Sequence, residues 1–347
     1  MPSRFESPGA PRPAPDHEKR TTCPSFPAEA SDADPHCARP AERGRPGGHA
    51  LRGDGRCRGA AFPPPEDADD AQLTLWCLYE LHHRGFDDVA DEHEWDPQLI
   101  ALRQRLEADL EQQLRERAPE PPAPGGDFAT EFFAAIAAHD GPSAAEHIHR
   151  AATEEQARQF LRHKSVYTLK ESDHTTWTIP RLNYPVKAAV VELQYDEYGG
   201  GNPHRLHANL FAKGLAASGL DAEYGAHLDE APVEVLVQNN VMSLFGLNRR
   251  LRAASLGFLA AFEATSSAPS RRIARGLTRL GFPPEMVEYY TEHVEADAVH
   301  EQLAVRTVCG TLIGEEPEQY ENVWFGAWAC LHVEDLYGER MLAEWSA

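Results

Sequence analysis

Asp96-Pro97 opens the stretch that most narrows the fold. The Asp side chain can cap a helix, and Pro suits the first helical position, where its missing N–H has no intrahelical role. Leu99, Leu102, Leu106, Leu110 and Leu114 then recur at helical period as far as Arg117. The same grammar returns along the chain. Residues 71–84 carry Leu73, Trp76, Cys77 and Tyr79 in a helix-like pattern, and Asp127 caps a run that stops at Gly141-Pro142. Residues 144–151 make a short helix. Thr153 and Gln156 form a capping box for a helix reaching about Tyr167. Residues 170–182 read as a loop. Helices follow from Pro185 to the break at Gly199-Gly200-Gly201, and over residues 204–218. Asp229 is expected to cap an apolar run from Pro232 to about Thr265, as two helices or one kinked near Gly246. Further helices are expected over residues 270–280, from Pro283-Pro284, and from Pro317. No hairpin signal and no long-period repeat occurs. The expectation is an all-α bundle of roughly eight to ten helices.

Three regions follow. Residues 1–68 are rich in Pro, Gly, Ala, Arg and Asp with few periodic apolar residues. Such a segment buries too little surface to offset its ordering entropy, so a disordered tail is expected. Residues 69–126 form an N-terminal helical segment packed on the core, ending in the PEPPAPGG linker. Residues 127–347 form the main helical domain. A net charge of −22 disfavours nucleic acid and anionic membrane surfaces. No apolar run reaches the length of a membrane span, and no secretory signal is visible. The six cysteines include no CxxC pair, which fits reduced thiols and a cytoplasmic setting.

The chemistry concentrates in residues 289–304, YYTEHVEADAVHEQLA. His293, Asp297 and His300 lie at i, i+4 and i+7, within about 60° on one helix face. Imidazole plus carboxylate suits iron better than a structural zinc or a calcium site. An acidic helix with surface histidines would carry the same triplet, so other donors are needed. Glu197 ends one helix and His207 begins the next, across the Gly-rich break. On a continuous helix they would point about 80° apart, and the interruption can re-register them. Glu263 lies in LGFLAAFEATSS, an apolar setting that calls for a partner charge or a raised pKa. The set Glu197, His207, Glu263, His293, Asp297 and His300 offers three imidazoles and three carboxylates, near charge balance for two Fe(II) ions. Too few donors to fill two octahedra leaves positions for water, dioxygen or substrate.

VVELQYDEYGGGNPHRLHANLF and HVEADAVH resemble the haem-oxygenase-like di-iron oxidases, the iron-containing redox enzymes of that fold. The order of the six donors matches that family, and LWCLYELHHRGFDDV and HTTWTIPRL are similar to its flanking signatures. The resemblance spans about residues 70–345. It implies a seven-helix haem-oxygenase-like core with N-terminal helical additions, and a labile pair of Fe(II) ions that activates O₂. It further implies that Glu197, His207 and His293 hold one iron and Glu263, Asp297 and His300 the other. Glu171 is a seventh, mobile candidate. Members oxidise amino nitrogen, cleave amino-acid carbon–carbon bonds or decarboxylate fatty acids, so an amino-acid-like or fatty-acid-like substrate is implied. An external electron donor and a homodimer are also implied. Tyr195, Tyr198, Tyr289 and Arg306 are pocket candidates that packing or surface roles explain as well.

Competing accounts exist. Glu80-x-x-His83 and Glu146-x-x-His149 are ExxH pairs of the kind that ferritin-like di-iron proteins use. A helical binding or scaffold protein, or a haem protein with one histidine ligand, would leave the donor set incidental.

Overall fold

The start signals in the sequence locate most of the helices. The computed structural model describes residues 65–347, apart from the side chains of residues 295–298. The expected tail of residues 1–68, with Cys23, Cys37 and Cys57, therefore lies almost wholly outside the described residues. Thirteen α-helices occur among those described: α1 Ala68–Glu80, α2 Pro97–Arg117, α3 Phe128–Ala138, α4 Ala144–Arg150, α5 Glu154–Thr168, α6 Asp173–Thr176, α7 Tyr184–Glu197, α8 His207–Ala217, α9 Val233–Leu247, α10 Arg252–Leu280, α11 Pro284–Gln302, α12 Gly310–Glu315 and α13 Tyr320–Trp345. No strand occurs among them. Asp96, Asp127 and Thr153 accept from Gln98, Thr130 and Gln156 backbone N–H groups, and the Thr153–Gln156 capping box is complete.

Three local expectations are corrected. The segment 170–182 is not plain loop; it holds α6 and a 3₁₀ turn at Ile179–Arg181. Asp229 does not cap α9; it lies in a 3₁₀ turn at Leu228–Glu230, and α9 starts behind Pro232. The long apolar run divides into two helices at Asn248, close to Gly246 as expected, but the second does not end near Thr265: α10 continues through Pro269 for 29 residues. The Thr265 and Ser266 hydroxyls donate to the Ala261 and Phe262 carbonyls just before that proline. Such back-bonding and an internal Pro both bend helices, and tertiary packing on both sides keeps this one continuous.

α10 is the central element, lying along α13 and α11. Its approach to α13 is set by glycine. A Cβ on Gly257 would strike the Val323 carbonyl, and one on Gly326 would strike the Ala254 carbonyl. Two large apolar clusters form most of the interior, and a small third one gathers Leu78, Leu99 and Leu102. One large cluster gathers Leu193, Leu256, Ala260, Val305, Val308 and Ala329. The other large cluster gathers Phe160, Phe211, Leu277, Met286, Tyr289 and Tyr337. The N-terminal helices join both: Leu75, Leu110 and Leu114 enter the first, and Trp76 the second. Cys309 and Cys330 are buried free thiols. No helix among the described residues is long and apolar enough to cross a membrane.

Candidate metal centre

The candidate donors occupy the seam between the two large apolar clusters. Glu197 follows Leu193 of the first cluster, and His207 precedes Phe211 of the second. His293 follows Tyr289 of the second, and His300 precedes Ala304 of the first. Polar side chains have collected where neither apolar cluster closes on itself.

Glu197 is the last residue of α7 and His207 the first of α8. Between them Gly199, Gly200 and Gly201 all take positive φ, at 70°, 63° and 80°. A Cβ on Gly199 would stand 2.6 Å from the Arg205 and Leu206 backbone, so only glycine lets the chain double back there. The reversal brings His207 Nδ1 to 3.1 Å from Glu197 Oε2. The other Glu197 oxygen, Oε1, lies 3.4 Å from His300 Nδ1, which is 3.5 Å from Glu263 Oε2. His293 Nε2 lies 3.6 Å from Glu171 Oε1, and its ring is 4.5 Å from that of His207.

Two groups of three donors result, each with ligand atoms within 4.8 Å of one another: Glu171, His207 and His293, and Glu197, Glu263 and His300. All six side chains are buried. The grouping differs from the one the family resemblance implied in two respects: Glu171 joins His207 and His293, and Glu197 moves to the other group. Glu197 falls with Glu263 and His300 by distance, while its Oε2 still faces His207, so the carboxylate spans both halves. Asp297 lies in α11 one turn after His293, and its side chain is outside the described residues.

The imidazoles are oriented from behind. His293 Nδ1 is 2.8 Å from the Tyr289 carbonyl oxygen, which can only accept, so Nδ1 carries the proton and Nε2 faces Glu171 with a lone pair. His300 Nε2 is 3.3 Å from the Asp196 carboxylate, which leaves Nδ1 for the site. The Tyr289 hydroxyl donates to both Glu171 oxygens at 3.1 and 3.0 Å. The Ser172 hydroxyl donates to Glu197 Oε2 at 3.0 Å.

The electrostatics suit a cation. Burial alone would raise Glu197, yet His207, His293 and His300 outweigh it and bring the carboxyl down to about 2. Burial pushes Glu263 up and Glu197 adds to that, with His300 opposing only in part. Burial opposes charge on His300, but Glu263 and Glu197 raise it to about 9. Buried carboxylates gathered in one site are costly unless positive charge is shared among them. His207 Nδ1 and His300 Nδ1 are buried and aimed into the site, where they face carboxylate oxygens at 3.1 to 3.5 Å. Convergent buried nitrogen and carboxylate donors of this kind fit divalent iron.

The remaining candidates are dispersed. Tyr195 is 60% exposed and Arg306 is exposed, so neither lines the centre. Tyr198 donates to Asp173 at 3.0 Å. Among the described residues neither ExxH pair joins a convergent donor group. Glu80 is 3.1 Å from Lys170 Nζ, and Glu146 pairs with Arg150 and Arg272 at 2.6 and 3.1 Å. On the Leu259–Phe262 face of α10 is a cavity of about 20 Å³ bordered by Tyr167, Met242, Phe245 and His174. Sequence reasoning missed Ser172 and Asp196. A positive-φ serine leaves no mark in composition, and Asp196 reads as an ordinary surface carboxylate.

A family model described as "Iron-containing redox enzyme" matches residues 158–335, a little over half of the chain. The chain belongs to the iron-containing redox enzyme family. Among solved structures, it is similar to a CADD-like protein of unknown function from Nostoc punctiforme PCC 73102. That likeness has a TM-score of 0.50 at 17% identity and covers 62% of this chain and 96% of the other. The fold is all-α and haem-oxygenase-like. No curated protein matches the chain.

Proposed function

We propose that this protein is a non-haem di-iron oxidase or oxygenase that uses dioxygen on a small organic substrate. The observation that carries the reading is Glu197, one carboxylate with an oxygen toward each of two donor groups, at 3.1 Å from His207 and 3.4 Å from His300. Glu171, His207 and His293 would hold one Fe(II); Glu263 and His300, with Asp297, the other; Glu197 would be shared. When bound, a ferrous pair supplies the electrons and open coordination positions for reducing dioxygen.

The protein's own groups do the rest. Tyr289 and Asp196 fix which nitrogen of His293 and His300 faces the centre. Glu263, held toward its neutral form by burial, can keep a proton at its carboxyl and give it up when positive charge arrives. Turnover needs an external electron donor. The substrate is amino-acid-like or fatty-acid-like by family analogy, and a homodimer in the cytoplasm completes the proposal.

Anaerobic Fe(II) titration followed by O₂ tests it. Two irons per chain and an O₂-dependent absorbance change are expected, both lost in Glu263→Ala and Asp297→Ala with helix content retained. A Soret band would indicate haem instead. A chain that takes up no iron is a binding or scaffold protein. Iron loading lost in His83→Ala and His149→Ala but kept in His293→Ala would indicate the ferritin-like alternative.

A further inference from the structure

Ser172 is the one non-glycine residue at positive φ among the described residues, at φ 69° and ψ −13°. A Cβ is disfavoured in the left-handed region, and serine is not among the residues that tolerate it best. The surroundings hold the corner in place from both sides. Two residues earlier, Lys170 is sealed in the interior, 3.1 Å from Glu80 and 4.9 Å from the Trp76 ring. Two residues later, the His174 carbonyl presses against Gly246, where any Cβ would clash. The chain between these anchors turns sharply and sends consecutive side chains to different carboxylate duties. Glu171 goes to Tyr289 and His293, and the Ser172 hydroxyl goes to Glu197.

We propose that Ser172 is a positioning residue for the metal pair: its hydroxyl fixes the rotation of Glu197 so that one carboxylate oxygen is presented to each half of the centre. This rests on the di-iron reading. The physical reason lies in what metal binding would leave behind. His207 and His300 now flank the two Glu197 oxygens, but their lone pairs are the ones a metal would take up. A carboxylate oxygen has two lone-pair directions, so Oε2 can face a cation and still accept from serine. The serine contact is thus one that loading need not displace. A glycine at 172 would suit the backbone better, and what it would lack is the hydroxyl.

The test uses the full chain with Ser172→Ala, which deletes the hydroxyl, and Ser172→Gly, which also relieves the backbone. Mn(II) is the probe, titrated and followed by electron paramagnetic resonance. Wild type is expected to bind two Mn(II) with an exchange-coupled spectrum. Both variants should bind the second Mn(II) at least tenfold more weakly and show the six-line signal of isolated ions. The metal-free melting temperature should rise in Ser172→Gly and not in Ser172→Ala, so that stability and coupling move in opposite directions in the glycine variant. Coupling and second-site affinity unchanged in Ser172→Ala would overturn the inference while the di-iron reading stands. A wild type that binds no pair of ions would overturn the reading and the inference together.

Discussion

At the scale of single residues, Glu171, Glu197, His293 and His300 are each held by a group outside the donor set. The consequence for Glu197 is direct. Glu197→Ala should lower metal content from two ions to one or none per chain, measured by metal analysis after anaerobic loading. Asp196→Asn keeps a hydrogen-bond acceptor for His300 but removes the charge. It should weaken binding by roughly tenfold, at the low end for such supporting partners, with helix content unchanged by circular dichroism. Equal affinity in that variant would remove Asp196 from the site. His293 and His300 were legible because helical period alone puts positions seven apart on one face. Glu197 and His207 were legible only as a pair that the glycine break could re-aim. Glu171 was legible as a candidate and no further. Its partner Tyr289 is 118 positions away, and nothing local announces that contact.

At the scale of elements, the starts of α2, α3 and α5 could be read from their capping residues, and the end of the longest helix could not. Pro269 and its preceding Thr and Ser look like punctuation, but α10 packs against α11 and α13 and continues through them. Packing outweighs a local break when the helix is buried on either side of it, here up to Glu263 and again from Ser270. Just after α11 the backbone widens into a π-helix at Leu303–Cys309, immediately beyond His300. Such turns are rare and gather at functional sites. The α10–α13 contact gives a stability prediction. Gly257→Ala or Gly326→Ala forces a methyl into a facing carbonyl and should destabilise the fold by about 1–3 kcal/mol, seen as a lower midpoint in urea. A midpoint at or above the wild-type value would mean that the two helices can separate without penalty.

At the scale of the whole molecule, buried histidines set the response to pH. Burial, with Lys170 next in weight, lowers His83 to about 2. Burial is the main cause that takes His163 down to about 4, and His174 goes well below its ordinary value of 6.5. These three fold in the neutral form, while the unfolded chain takes up protons near 6.5. Their stabilisation is therefore full above about pH 6.5 and is lost as pH falls toward 4. His300 has the opposite sign: raised to about 9 in the metal-free protein, it stabilises below 6.5 and stops doing so as pH rises through 9. The melting temperature in chelator should form a dome between pH 4.5 and 9.5, falling on the acid side first. A curve that climbs steadily into acid would contradict the buried neutral histidines.

The buried pair of Lys170 and Glu80 sets a limit on cutting the protein down. Family similarity begins at residue 158, yet Lys170, one residue before Glu171, finds its counter-ion on α1. A chain trimmed to the recognised region would strand an ammonium in the interior, at a cost of about 3–5 kcal/mol for a buried ion left alone. Excising residues 127–347 for expression should give an aggregating or poorly soluble product, and Lys170→Met in that fragment should partly restore solubility. The portable unit of this protein is longer than its recognisable one, and a minimal version for engineering has to begin at α1.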